Sequence, residues 1–397
     1  MGPPNRAGVV AALGGAQTLA WASSYYLPAV LAAPMARELG IGTPAVFLAF
    51  SLALVVSAGV GPAAGRLIDR LGGRPVLMGT NLLFAAGLAA LGAVQGPWAL
   101  AAAWALIGVA MGSGLYEAGF ATLVRLYGQD ARNSITGITL IAGFASTVGW
   151  PLSAWLEVHF GWRGACFTWA ALHLLLGLPL NARLPRAPAT SRRDARATQA
   201  AGSAGGDGMP PRHATRAAAL LAFVFAATWF ISTAMAAHLP GMLQAAGASL
   251  AVAVGVGALV GPAQVAGRLL EFGLLRRVHP LLSARLAALA HPLGVLALLL
   301  AGPALAPLFA VLHGAGNGIL TIAKGTLPLV LFGAAGYGAR QGWLMLPARI
   351  AQAGAPFAFG LALERWQAGA LWLSGGVGLT AFVALLLLGR TTPRPRP

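Results

Sequence analysis

Three ionisable side chains lie well inside apolar stretches of the sequence: Glu117, Lys324 and Arg349. A charged group in hydrocarbon is costly, so each of them is a candidate for handling a solute or an ion. Lys324 is the only lysine in the chain, and a buried lysine can lose its charge whereas an arginine stays charged. Two cations against one acid leave one positive charge over, and that surplus favours an anionic substrate.

These residue types predict different roles for the three side chains. The guanidinium of Arg349 suits a carboxylate held in a bidentate fork, with Lys324 as a second cation. Glu117 is the predicted proton carrier, because a carboxyl group can take up and release a proton. The alternative interpretation is a buried pair of Glu117 with Lys324 or Arg349 that only holds two parts of the chain together.

Polar side chains in the same stretches extend the list of candidates. Those predicted to bind substrate are Gln17, Tyr25, Tyr26 and Asn317. For any one of them, hydrogen bonding between helices is the competing role. His238 and His313 are candidates for relaying protons.

The elements that must position these residues are membrane spans. The chain is 58% hydrophobic and only 9% charged, whereas a soluble domain is about one quarter charged. Each apolar run has about 20 residues or more, enough to cross a bilayer. Twelve spans are predicted, at roughly 8–34, 44–65, 75–95, 98–127, 133–158, 162–183, 215–244, 249–275, 281–302, 305–333, 341–363 and 368–389.

The distribution of positive charge orients these spans. The formal net charge is +17, and nearly all of the 26 lysines and arginines fall in loops on one side of the predicted membrane. Only Arg37, Arg163 and Arg365 fall on the other side. Because cytoplasmic loops collect positive charge, both termini are expected to be cytoplasmic. Because most of the arginines fall in loops between membrane spans, nucleic acid is not an expected partner.

A change of composition predicts the domain organisation. Residues 184–214 are rich in Arg, Pro, Ser, Gly and Ala and contain too little apolar surface for a core. We expect a flexible basic cytoplasmic linker there. It separates an N-terminal six-helix bundle, 1–183, from a C-terminal six-helix bundle with a short basic tail, 215–397.

The loop between the second and third spans carries a recognisable motif. Residues 65–77 read Gly-Arg-Leu-Ile-Asp-Arg-Leu-Gly-Gly-Arg-Pro-Val-Leu. This resembles the signature G-x-L-x-D-R-x-G-R-R-x-x-L of the major facilitator superfamily of secondary transporters, and it departs at Gly73, where a basic residue is usual. The resemblance assigns a gating role to Gly65, Asp69, Arg70, Gly72 and Arg74. It also implies that Asp69 faces the N-terminus of the eleventh span, where the helix dipole favours an anion.

The resemblance implies an all-α membrane fold of twelve transmembrane helices in two pseudo-symmetric six-helix bundles. Spans one, two, four, five, seven, eight, ten and eleven line the central cavity of this superfamily, so Glu117, Lys324 and Arg349 are all expected in cavity-forming helices. Spans six and nine are peripheral, which makes His173 and His291 structural. A sequence repeat agrees with two halves: Gly112-Ser113-Gly114 in span four corresponds to Gly316-Asn317-Gly318 in span ten.

Two local patterns refine the resemblance in different directions. The turn at 160–165, Phe-Gly-Trp-Arg-Gly-Ala, is common in several branches, including the monocarboxylate/oxalate–formate group, and weakly favours organic anions. The glycines and Pro151 of span five partly resemble the fifth-helix motif of drug–proton antiporters, but their spacing differs.

The predicted function is secondary active transport of a small organic anion by proton symport, through alternating access. One alternative is proton-coupled efflux of drugs or metabolites, and one from another class is a transport-inactive membrane receptor or scaffold. No enzyme motif and no cofactor or metal site is recognised. The expected partners are the substrate, protons and the lipid bilayer, with the protein a monomer in a bacterial-type inner membrane.

Overall fold

The computed structural model describes residues 5–186, 211–245 and 247–389. Most of the predicted linker and the end of the predicted basic tail lie outside the described residues. Within these ranges the regular structure is helical, and no strand is present. Helices suit lipid because every backbone N–H and C=O can be paired inside the element itself.

The helices of the first half follow the first six predicted spans. Their bounds are Arg6–Ser23 (α1), Pro28–Leu39 (α2), Thr43–Leu71 (α3), Gly73–Gly92 (α4), Pro97–Gly114 (α5), Tyr116–Tyr127 (α6), Arg132–Ala142 (α7), Ala145–Leu172 (α8) and Leu178–Ala182 (α9), with a π-helical turn at His173–Gly177.

The helices of the second half follow the predicted spans seven to twelve within a few residues. Their bounds are Pro211–Ala245 (α10), Leu250–Gly273 (α11), Pro280–Ala301 (α12), Ala306–Phe332 (α13), Tyr337–Trp366 (α14) and Ala370–Gly389 (α15).

Several predicted spans are interrupted, which differs from the continuous helices that the sequence predicts. The first span breaks between α1 and α2, and the fourth breaks at Leu115, whose backbone is extended with φ −81° and ψ −164°. The fifth breaks at Gly143 and Phe144. Gly161, at φ 69°, kinks α8 at the predicted turn between spans five and six. Broken helices free backbone groups at mid-span, and such breaks are typical of transporter binding sites.

Contacts divide the described chain into two units. The first contains the described residues of 1–200 together with 334–343, and the second contains those of 201–333 and 344–397. Glycines four residues apart allow close helix packing inside each unit. A Cβ on Gly108 or Gly112 would lie 2.5 or 2.7 Å from a backbone carbonyl oxygen of α3, and one on Gly314 or Gly318 would lie 2.6 or 2.2 Å from one of α11. Only glycine permits such an approach.

Glycines of the predicted repeat pack closely in both units. Gly112 packs on a carbonyl oxygen of α3 and Gly318 on one of α11, whereas Gly316 packs on the Ala287 carbonyl of α12. The pairing of Gly112 with Gly316 stays a prediction.

The helices are also apolar on their outer faces. Large side chains such as Leu48, Trp98, Leu300 and Phe357 are exposed, and a bilayer would cover them. By length and composition, six stretches of the described residues qualify to cross a membrane, and the longest hold more than one helix: Thr43–Leu71, Gly73–Gly92, Pro97–Ala182, His213–Leu239, Pro280–Phe332 and Tyr337–Leu388. The protein is therefore a multi-pass membrane protein.

Candidate functional site

The carboxylate of Asp69 caps the start of α14 within the first unit. Its Oδ1 accepts a hydrogen bond from the backbone N–H of Gly338 at 3.0 Å, and its Oδ2 accepts one from Ala339 at 2.9 Å. These N–H groups belong to the first turn of α14, where helices have unpaired donors and a positive dipole end. The arrangement is the one that the signature loop implies for Asp69.

Two glycines make this contact sterically possible. A Cβ on Gly65 would lie 2.0 Å from the carbonyl oxygen of Gly338, and a Cβ on Gly338 would lie 2.5 Å from that of Gly65. Gly72 ends α3 at φ 82°, a backbone conformation that glycine adopts without strain. Of the other signature residues, Arg70 is exposed in the last turn of α3, and Arg74 is half-buried in the first turn of α4.

The departure from the signature at Gly73 has a steric reason. A Cβ at this position would lie 2.0 Å from the hydroxyl oxygen of Thr122 on α6. The Thr122 side chain is buried and donates a hydrogen bond to the carbonyl of Ala118, which fixes it in place. No side chain fits at 73 beside this threonine unless something moves, so the usual basic residue is missing here.

Aromatic side chains gather where α1 and α5 break in the first unit. The Trp21 ring centroid lies 5.3 Å from that of Tyr25 and 4.9 Å from that of Tyr116. Tyr26 packs edge-on against Tyr25, at 5.4 Å, and against Trp150, at 5.7 Å. Both predicted tyrosines therefore belong to one cluster at the helix breaks, and both are partly accessible.

Glu117 lies beside this cluster, in the first turn of α6. The break at Leu115 creates that helix start in the middle of a predicted span. A helix N-terminus favours the negative charge of a carboxylate, which lowers the cost of keeping one in an apolar setting. Glu117 is partly accessible and its neighbour Tyr116 is buried.

Gln17 satisfies the broken end of α5. Its Nε2 donates a hydrogen bond of 2.7 Å to the carbonyl of Gly114, the last residue of α5, and the side chain is 1% exposed. A carbonyl left by a helix break needs such a donor when water is excluded. This contact engages the amide nitrogen of Gln17 inside the first unit, while its Oε1 has no hydrogen-bond partner among the described residues. Its role as a substrate ligand stays a prediction.

Lys324 and Arg349 approach the same aromatic ring in the second unit. The Nζ of Lys324 lies 4.1 Å from the ring centroid of Trp229, and the Cζ of Arg349 lies 5.3 Å from it. Both cations are almost fully buried, with exposures of 4% and 3%. The indole ring stabilises each cation through its negative face. We call Lys324, Arg349 and Trp229 the cation pair site.

An amide completes the cation pair site. The Nη1 of Arg349 donates a hydrogen bond of 2.9 Å to Oε1 of Gln352, one helical turn further along α14. Because its oxygen is engaged, the Nε2 of Gln352 presents its hydrogens elsewhere, and among the described residues this buried nitrogen has no hydrogen-bond partner. The site thus combines two cationic donors with an amide donor.

Close packing of α13 positions one side of this site. Gly314 and Gly318 allow α13 to approach α11, and Gly316 allows it to approach α12, with Cβ positions only 2.2–2.6 Å from carbonyl oxygens. Asn317 lies among these glycines and donates a hydrogen bond of 3.0 Å to the hydroxyl of Ser232 on α10. Trp229 lies one turn earlier on α10, so Asn317 helps hold the helix that carries the indole.

An ion pair lies at the predicted outer end of the first unit. The Nε of Arg163 donates to Oε1 of Glu38 at 2.7 Å, and the indole N–H of Trp162 donates to Oε2. Arg163 also donates to the carbonyl of Gly92, at the end of α4. The hydrogen bonds from Arg163 and Trp162 lower the pKa of the Glu38 carboxyl group. The turn that weakly favoured organic anions in the sequence therefore joins three helices.

The sequence predicted the charged residues of these sites but not the residues that they contact. The convergence of Lys324 and Arg349 on Trp229 joins helices far apart in sequence, and no local pattern encodes it. The aromatic cluster had a weak signal, since Trp21, Tyr25 and Tyr26 are spaced four and five residues apart.

A chain whose described residues form broken, membrane-length helices with buried charges inside them belongs to the class of polytopic membrane proteins. The sequence pattern of the Major Facilitator Superfamily matches residues 13–322. The chain belongs to this superfamily.

Similar proteins agree with the family and give different substrates. The multidrug resistance protein MdtH of Enterobacter sp. (strain 638) is 31% identical over 140 residues, and that of Yersinia pestis (strain Pestoides F) is 30% identical over 140 residues. Each match covers 35% of this chain and 34% of the relative, so the chain spans about a third of the length of these curated relatives. The crystal structure of the human organic anion transporter MFSD10 (TETRAN) matches with a TM-score of 0.70, 18% identity and coverage of 96% of this chain and 100% of that one. At this identity the likeness shows the fold alone.

Proposed function

We propose that the protein transports a small organic anion together with a proton, and that the cation pair site binds the anion. The observation that carries this proposal is the meeting of two buried cations on one indole ring. Their distances of 4.1 and 5.3 Å from the same centroid bring the charges to within about 9.4 Å of each other. Like charges this close repel, so an anion that contacts either of them is favoured by both.

The chemistry of the donors favours a carboxylate. The guanidinium of Arg349 offers a planar fork that matches two carboxylate oxygens, and Lys324 offers a compact charge. The Nε2 of Gln352 adds a neutral donor beside the fork. The face of Trp229 would contact the organic part of the substrate, because the same ring already positions both cations.

Glu117 is proposed as the proton carrier. It is partly accessible at a helix break, as a group that exchanges protons with water must be. The aromatic cluster of Tyr25 and Tyr26 beside it would form one wall of the path. The signature residues Gly65, Asp69, Arg70, Gly72 and Arg74 would serve gating, through the hydrogen bonds of Asp69 to the start of α14.

The remaining parts of the proposal concern organisation. Residues 1–183 and 215–397 would form the two bundles, joined by the basic segment 184–214, with both termini cytoplasmic. The charge distribution of the loops supports this orientation. The protein would act as a monomer in the inner membrane.

Drug efflux by proton exchange is the second candidate function. The partial similarity to multidrug resistance proteins supports it, although it covers about a third of either chain. Glu117 would serve in that mechanism too. The two candidates differ in the charge of the substrate, because lipophilic cations would be repelled by Lys324 and Arg349.

Uptake into proteoliposomes under an imposed pH gradient tests the proposal. A panel of carboxylates and lipophilic cations would be offered to wild-type protein and to the Lys324→Gln, Arg349→Gln and Glu117→Gln variants. We expect carboxylate uptake that either cation variant lowers by about tenfold or more, since a hydrogen bond to a charged group contributes about 1.5–3 kcal/mol. Glu117→Gln should abolish the response to the pH gradient while carboxylate binding remains.

The matched control is Arg216→Gln, which removes an exposed cation at the start of α10, the helix that also carries Trp229. It should leave uptake unchanged. Transport of cations but not anions would contradict the proposal, and so would gradient-driven uptake by Glu117→Gln at the wild-type rate.

A further inference from the structure

Two buried histidines of the second unit form a hydrogen-bonded pair. The Nδ1 of His291 on α12 lies 3.1 Å from the Nδ1 of His313 on α13. Their exposures are 6% and 4%, and the ring centroids are 5.0 Å apart. Phe309 stacks on His313 and contacts His291 edge-on, which fixes both rings in one arrangement.

A contact between two Nδ1 atoms constrains where the protons are. One Nδ1 must carry a hydrogen and donate it, and the other must offer its lone pair. In the neutral pair the donor ring has a bare Nε2, and the acceptor ring carries its hydrogen on Nε2. The pair therefore exists as two tautomeric forms that differ only in which ring donates.

A proton can pass through such a pair with every bond accounted for. An incoming proton binds the bare Nε2 of the donor ring. The Nδ1–H bond of that ring breaks as its hydrogen moves to the Nδ1 of the facing ring, and the second ring then releases the hydrogen from its own Nε2. One proton enters, one leaves, and the two rings have exchanged tautomers.

A small cavity adjoins the pair. Both histidines line it, together with Thr228 on α10 and Asn317 on α13. It offers about 20 Å³ for the centres of water molecules, and roughly 10–15 Å³ is enough for one. Asn317 lies one turn beyond His313 and about two turns before Lys324 on the same helix, so the cavity and the cation pair site share α13.

The pair is isolated from other charges. It is flanked by α10, α12, α13 and α15, and no other titratable side chain lines the cavity among the described residues. On these helices and on α11, which packs against α13, the other titratable side chains are Arg212, His213, Arg216, His238, Arg268, Glu271, Arg285 and Lys324, with none on α15. The Nε2 of His291 is buried and has no hydrogen-bond partner among the described residues.

We propose that His291 and His313 form a proton relay in the second unit, exchanging protons with the small cavity and serving the transport cycle in addition to Glu117. This inference rests on the proposed proton-linked function. It adds a second proton-handling site, formed by two residues outside the signature loop.

The transport test separates a relay from a structural pair. The His291→Gln and His313→Gln variants keep a polar side chain but cannot pass a proton through a ring. We expect uptake driven by a pH gradient to fall roughly tenfold or more, since positioned proton transfer contributes about 10²–10⁴-fold. Exchange of labelled for unlabelled substrate across the membrane requires no net proton movement and should stay within about twofold of wild type. His159→Gln, which removes an exposed histidine, is the control. Loss of both activities in equal measure, or loss of neither, would overturn the relay.

A second measurement is independent of any substrate. Nitrogen NMR of ¹⁵N-histidine protein in lipid reports the tautomer of each ring. We expect one ring of the pair to carry its hydrogen on Nδ1 and the other on Nε2, with the Nδ1 hydrogen-bond signal lost in His291→Gln. Two rings both protonated only on Nε2 would exclude the shared hydrogen and overturn the inference. If the wild-type protein moves no anion but the shared hydrogen is present, the proposed function fails while the pair stands.

Discussion

Replacing Gly65 with alanine tests the close packing that brings the signature loop to the start of α14. The new Cβ would lie 2.0 Å from the carbonyl oxygen of Gly338, whereas ordinary contact begins at 3.4 Å, so the segments must separate by about 1.4 Å. A shift of this size would break the hydrogen bonds from Gly338 and Ala339 to Asp69, now 3.0 and 2.9 Å long.

The expected destabilisation follows from these contacts. Overpacking costs about 1–3 kcal/mol once the structure relaxes, and each hydrogen bond to a charged group contributes about 1.5–3 kcal/mol. Separating the segments relieves the clash but breaks the hydrogen bonds, so the two costs do not add in full. We therefore expect a loss on the order of 3 kcal/mol in the free energy of unfolding. At the 2–4 °C per kcal/mol found for units of this size, the midpoint of thermal unfolding should fall by roughly 6–12 °C.

Cys166 provides the assay. It is the only cysteine of the chain and is buried in α8, in the same unit as Gly65. A thiol-reactive dye should therefore report the opening of the first unit on heating. Gly59→Ala is the matched control, because it lies on α3 with no atom within 4 Å of its Cβ position. Equal midpoints for Gly65→Ala and Gly59→Ala would refute the packing argument.

Three further perturbations have defined outcomes. Gly73→Ala should lower the free energy of unfolding by about 1–3 kcal/mol through the clash with Thr122. Gly79→Ala, on the same helix, places its Cβ in open space and should leave the free energy of unfolding unchanged. Asp69→Asn keeps the shape of the side chain but removes its charge, so we expect a smaller loss in the free energy of unfolding than for Gly65→Ala, measured with the same dye. An unchanged midpoint would show that the carboxylate charge does not stabilise this contact. Glu38→Gln tests the outer ion pair: because the folded pKa of Glu38 is lowered, its stabilisation is present above about pH 4.5 and is lost as the pH falls below that value. The variant should therefore melt earlier than wild type at neutral pH, with the difference disappearing in acid.

The extent of the helices could be predicted from the sequence because lipid imposes both their length and their composition. The predicted spans differ from the observed helices by only a few residues at most ends, as 249–275 and 281–302 do from α11 and α12. The family was predictable for a different reason: residues 65–77 combine glycines, an acid and arginines whose roles depend on local packing. Even the departure at Gly73 was visible, although its cause, Thr122, was not.

The breaks in the helices could not be predicted from the sequence. Gly112, Ser113 and Gly114 precede the break at Leu115, but the group that pairs with the broken end is Gln17, 97 positions before Gly114. The same limit applied to the sites. The types and helices of Lys324 and Arg349 were predicted, but their meeting on Trp229 depends on the packing of three helices. The histidine pair was missed because peripheral helices were expected to carry only structural residues.

Calorimetric titration of the purified protein with a carboxylate and with its uncharged amide tests the cation pair site most directly. We expect that the carboxylate binds, that the amide binds at least about tenfold more weakly, and that Lys324→Gln and Arg349→Gln lose this preference while Arg216→Gln keeps it. Equal binding of acid and amide, or tighter binding of a lipophilic cation than of either, would contradict anion binding at this site.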